Sequence, residues 1–67
     1  MGASQWVHLD VDEIVRETAD AFLIRYRDDE IWIPKSQVAD AGDYQEGDEN
    51  LTLSVTEWIA KKKNLET

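Results

Sequence analysis

Few side chains in this 67-residue sequence stand at spacings that could do chemistry. Asp10, Asp12 and Glu13 form a carboxylate cluster, and His8 with Asp10 would lie on one face of an extended strand as an acid–base pair. A hydrolase or metal-dependent nuclease needs more carboxylates converging on a pocket, together with a basic partner. A histidine beside an acid is an ordinary surface pair. Ser36 follows Lys35 without a flanking base or a glycine elbow, and the three glycines, Gly2, Gly42 and Gly47, form no phosphate-cradling loop. With no cysteine and one histidine, neither a disulfide framework, a thiolate zinc site nor a histidine metal site is expected. Catalytic residues, metal and cofactor are therefore all expected to be none.

The remaining chemistry is recognition. Residues 39–57 carry Asp40, Asp43, Glu46, Asp48, Glu49 and Glu57 and no base, so six of the eight net negative charges lie there. Residues 16–38 are nearly neutral, with Arg16, Arg25, Arg27 and Lys35 against five acids. A field of this sign favours basic partners and repels phosphates at long range. An acidic loop at 39–50, with Asp40, Asp43, Glu46, Asp48, Glu49 and Tyr44 as contact residues, is one candidate surface. The plainer account of the acidity is solubility or adaptation to salt. A second candidate is a basic–aromatic sheet face of Arg16, Arg25, Trp32 and Lys35, the combination that single-strand nucleic-acid binders use. Trp6 and Tyr44 are further candidates for exposed anchors.

The elements that position these residues read as antiparallel β with one C-terminal helix. Val7, Leu9 and Val11 alternate with polar residues as a half-buried strand. The phase breaks at Asp12-Glu13, which predicts a bulge there, with Val15 turned to the core and Ile14 and Arg16 to the other side. Ala21–Arg27 reads as a strand and Arg27–Glu30 as a tight turn. Ile31–Ile33 is the next strand, ended by Pro34, which cannot donate to a ladder. With Asp28-Asp29 as the loop, Arg25 faces Trp32 as a cation–π pair, Arg27 faces Glu30, and Leu23 comes near Pro34. Ser36–Ala39 allows a single helical turn. Leu51, Leu53 and Val55 form a last strand, and Thr56 or Ser54 caps a helix over about 57–63 whose inner face holds Trp58, Ile59, Lys62 and Leu65.

The expected whole is one acidic domain, 1–67, with 1–5 as a flexible N-terminus. It is a mainly β, four- to five-stranded small barrel or half-barrel of SH3 or OB size, closed by the helix. A chain this short buries only about 60% of its unfolded surface and leaves no room for an enclosed catalytic cavity. On that ground the helix is expected to fold over the basic–aromatic face, with Trp58 packing on Trp32, and Trp6 to plug one barrel end. An exposed strand edge at 6–11 or 51–55 would permit a homodimer. No apolar run approaches a membrane span, and residues 1–5 lack the pattern of a signal peptide.

Glu30-Ile31-Trp32-Ile33-Pro34-Lys35-Ser36-Gln37-Val38, followed by Leu53-Ser54-Val55-Thr56-Glu57-Trp58-Ile59-Ala60, resembles a group of small proteins of phages and prophages. These share a Trp-Ile-Pro-Lys-Ser core and a terminal Glu-Trp-(Leu/Ile)-Ala helix, and the resemblance covers about residues 13–65. It implies an accessory protein of a virus or mobile element in a prokaryotic cytoplasm. No binding residue carries over from it. The expected function is non-enzymatic: binding and modulating or inhibiting a host or viral protein such as a nuclease, polymerase or defence complex through the acidic surface. The alternative is a single-stranded nucleic-acid-binding module, disfavoured by the net charge.

Overall fold

A computed structural model describes residues 6–65; the N-terminal 1–5 expected to be flexible lie outside the described residues. Four antiparallel strands, β1 (Trp6–Glu17), β2 (Ala21–Tyr26), β3 (Asp29–Pro34) and β4 (Glu49–Thr56), form one open sheet. A helix, α1 (Glu57–Lys62), follows β4. The spatial order is β3-β2-β1-β4, so the first strand is central. Among the described residues no ladder joins β3 to β4; the connecting segment reaches β4 through the isolated Val38–Val55 bridge.

One sheet face is buried. Leu9, Val11 and Ile14 of β1, Phe22, Ile24 and Tyr26 of β2, Ile33 of β3 and Leu53 and Val55 of β4 line it. Val38, Ile59, Ala60 and Leu65 cover it. The change of phase at Asp12-Glu13 is present, Val11 and Ile14, three apart, both facing the core, but the bulge expected there falls at Val15. This corrects two expectations. Ile14 is fully buried on the core side rather than on the outer face, and half-buried Val15 is the extra residue in the β1–β2 ladder, between the Ile14–Ile24 and Arg16–Leu23 pairs. Ile14 is further fixed by the chain before β4, its N–H donating to the Asp48 carbonyl at 2.8 Å and its carbonyl accepting from Gly47 N–H at 2.8 Å. Gly47 has φ +97°, a conformation glycine adopts without steric cost.

The β2–β3 hairpin turns one residue earlier than expected. Tyr26 pairs with Asp29, and Arg27 and Asp28 form the loop with φ of 53° and 70°. Two successive positive φ values match the twist of paired strands, which the ordinary turn of opposite hand would splay. Moving the turn by one residue changes every cross-strand partner but leaves every side chain on its face, because each partner shifts by two.

Helix α1 starts where expected. Thr56 is the N-cap, its hydroxyl accepting from Ile59 N–H at 3.3 Å. It ends in a Schellman motif, with Asn64 left-handed at φ 57° and bonds from Asn64 N–H to Lys61 O and from Leu65 N–H to Ala60 O. That turn returns Leu65 to the core, where the Tyr26 hydroxyl donates to its carbonyl at 3.1 Å. The helix thus buries Ile59, Ala60 and the following Leu65. Trp58, expected inside, is 59% exposed with the Lys62 ammonium 5.1 Å from its ring centroid. No helix among the described residues is long and apolar enough to cross a membrane.

Candidate functional site

The outer sheet face is organised as two rows across β1, β2 and β3. One row is Arg16, Leu23, Trp32; the other is Glu13, Arg25, Glu30. Helix α1 lies on the opposite face, so Trp32 is not covered by Trp58 and is 43% exposed. The reason is geometric: a six-residue helix leaving β4 on the core side cannot reach round the sheet.

The second row corrects the expected cation–π pair. Arg25 does not face Trp32. Its guanidinium donates to Glu13 Oε1 at 2.9 Å and lies 3.5 Å from Glu30 Oε2. Arg27, expected opposite Glu30, sits in the turn over the Tyr26 ring at 5.2 Å. Lys35 is not part of the outer face either: its ammonium donates to Glu17 Oε2 at 2.6 Å and stands 5.0 Å from the Phe22 ring centroid. Of Arg16, Arg25, Trp32 and Lys35, the structure brings Arg16 and Trp32 into one row separated by Leu23, and pairs the other two cations with carboxylates. Each surface pair contributes modestly to stability, yet each cancels a charge that a phosphate would need.

The acidic segment 39–50 divides into acids that build the loop and acids that do not. Asp40 is left-handed at φ 54° and precedes a 3₁₀ turn at Ala41–Asp43. Tyr44, expected as a contact residue, instead packs against the core, and its hydroxyl donates to the Thr52 carbonyl at 3.2 Å. Asp48 accepts from Gln45 N–H at 3.0 Å, a side-chain-closed turn. Glu46 and Glu17 grip each other's backbone. Glu46 Oε1 accepts from Glu17 N–H at 3.0 Å and Glu17 Oε1 accepts from Glu46 N–H at 3.2 Å. The Lys35 ammonium and that backbone donor hold the Glu17 carboxyl below its ordinary pKa. Asp40, Asp43 and Glu49 are exposed and make no ion pair among the described residues.

A cleft of about 320 Å³ is lined by His8, Asp10, Asp12, Tyr26 and Arg27, where β2 turns away from β1. His8 Nδ1 lies 2.7 Å from Ser54 Oγ across the β1–β4 ladder. Three of its five lining residues, His8, Asp10 and Asp12, are those whose spacing along one strand the sequence displays, and the cleft opens because β1 runs 12 residues and β2 only 6. Trp6, expected as a plug, pairs with Thr56 at the end of that ladder and is 44% exposed. Comparison with protein-family models, with curated proteins and with solved structures finds no match for this chain.

Proposed function

We propose that the chain is a non-enzymatic, phage-type accessory protein that binds and modulates a host or viral protein of basic surface in a prokaryotic cytoplasm. A nuclease, a polymerase or a defence complex fits this description, and occlusion of its basic groove is the mechanism. One observation carries the reading: the cations Arg25 and Lys35 are neutralised by Glu13, Glu30 and Glu17, whereas Asp40, Asp43 and Glu49 are left without a counter-charge among the described residues. Segment 39–50 carries five acids and no base, so the field is strongly negative there, which attracts a cationic groove and repels phosphate. Glu46, Asp48 and Tyr44 act as the scaffold that presents those three carboxylates.

The test uses the triple variant Asp40→Asn, Asp43→Lys, Glu49→Lys, which spares the residues that build the loop. Wild type and variant are immobilised and exposed to nuclease-treated prokaryotic lysate at low and high salt, and the retained proteins are identified by mass spectrometry. The expected result is a set of basic proteins held by wild type at low salt and lost from the variant. Equal retention by both would overturn the proposal. Quenching of tryptophan fluorescence by a single-stranded oligonucleotide, abolished by Trp32→Ala, would instead support the nucleic-acid reading.

A further inference from the structure

Three strand edges of this sheet face outward, and the structure guards two of them. On β4, Ala39 N–H donates to the Ser54 carbonyl at 2.9 Å and the Tyr44 hydroxyl to the Thr52 carbonyl. On β3, Pro34 and the acids Asp29 and Glu30 blunt the edge. The third is the half of β1 beyond the end of β2, where no other strand lies alongside among the described residues.

The direction of its backbone groups follows from the covered edge. The Thr52 and Ser54 carbonyls point away from β1, so Leu51, Leu53 and Val55 are the residues of β4 bonded to it. Their partners are Val11, Leu9 and Val7. The intervening residues His8 and Asp10 therefore aim their N–H and C=O groups at the open edge.

We infer that this edge pairs with the same edge of a second copy of the chain, antiparallel about a two-fold axis through Leu9. Only registers that set outward-pointing residues opposite one another form hydrogen bonds, which restricts the axis to a residue position. With the axis at Leu9, His8 of each copy faces Asp10 of the other, giving four backbone hydrogen bonds and two imidazole–carboxylate pairs. His8 Nδ1 already meets Ser54, and Nε2 is left to face the carboxylate. An axis at His8 would set the two histidines against each other and Asp10 against Trp6. Charge complementarity thus selects the Leu9 register. The cleft beside His8 and Asp10 is the space the incoming strand enters, and the Arg27 turn marks where the ladder must stop.

Two readouts test the inference. Sedimentation velocity of the wild type should give twice the 7.7 kDa chain mass at high concentration. His8→Pro should weaken the dissociation constant by about tenfold or more, because it deletes an edge donor that no intrachain ladder bond uses. As a check that does not depend on that variant folding, cysteines are introduced into the cysteine-free chain. The double variant His8→Cys, Asp10→Cys should form an intermolecular disulfide under mild oxidation, and His8→Cys alone should not. A wild type that stays monomeric at roughly millimolar concentration, or a dimer unaffected by a folded His8→Pro, would overturn the inference. Crosslinking by His8→Cys alone would overturn the register.

Discussion

Replacing Thr56 with alanine removes two bonds from one hydroxyl at the junction of sheet and helix. The oxygen accepts from Ile59 N–H at 3.3 Å, capping α1, and the hydroxyl donates to Gln37 Oε1 at 2.6 Å, tying the helix start to the 3₁₀ turn Lys35–Gln37 that follows β3. Loss of an N-cap costs about 1 kcal/mol, within a range of about 0.5–2. The bond to partly buried Gln37 adds roughly 0.5–1.5 kcal/mol. Together the change is about 2 kcal/mol, and a domain of this size loses roughly 4–8 °C of melting temperature per kcal/mol. Thermal unfolding followed by far-ultraviolet circular dichroism should therefore show a drop of at least about 8 °C for Thr56→Ala. Thr56→Ser, which keeps the oxygen, should stay close to wild type. A double-mutant cycle with Gln37→Ala separates the two contributions, since only the Gln37 bond is shared. A Thr56→Ala protein melting within about 2 °C of wild type would refute the account of how the helix is anchored.

Three other outcomes follow from the same structure. Substituting Arg27-Asp28 with Asn-Gly relieves two side chains held at positive φ and should raise stability by about 1–2 kcal/mol in a urea titration, with no change of slope. The Glu17 carboxyl is lowered in the folded state, so its stabilising contribution is complete above the ordinary value of 4.5 and is lost as pH falls through the depressed folded value. Glu17→Gln should lower stability at neutral pH and flatten the acid limb of a pH–stability profile below that point. Phe22 is fully buried beneath the Lys35 ammonium. Phe22→Ala should cost about 3–5 kcal/mol, comparable to the whole stability of a domain this small, so its amide spectrum at 25 °C should be that of an unfolded chain.

What was legible in the sequence was local. The Val7, Leu9, Val11 alternation, the stop at Pro34, the Thr56 cap and the break of phase near Asp12 each rest on one or two residues whose physics has few alternatives. The hairpin register was not legible. Neither Arg27-Asp28 nor Asp28-Asp29 carries the glycine or asparagine that makes a two-residue loop unambiguous, and both leave the same side chains on the same faces. That ambiguity concealed the candidate site, because one choice puts Arg25 beside Trp32 and the other between two glutamates. The helix departs from its periodicity for a different reason. Periodicity placed Trp58 with Ile59 on an inner face, but a helix of six residues buries too narrow a stripe to hold both, and Ile59 with Ala60 took the core. The division of the acidic segment into scaffold and free carboxylates depends on contacts such as Glu46 with Glu17, 29 residues apart, which no local pattern encodes.

The central position of β1 has a kinetic consequence. Its partner β4 is the last strand in chain order among the described residues, and the His8–Ser54 contact joins residues 46 positions apart, whereas the β2–β3 hairpin closes across two. Closing the short loop takes microseconds, while the long one must first overcome the entropy of the intervening chain. Until β4 docks, the hairpin lies along the Glu13–Glu17 half of β1 alone, and Leu9 and Val11 stay in water. The apolar face of β1 is thus sticky during folding, and docking of β4 is the step that ends the exposure.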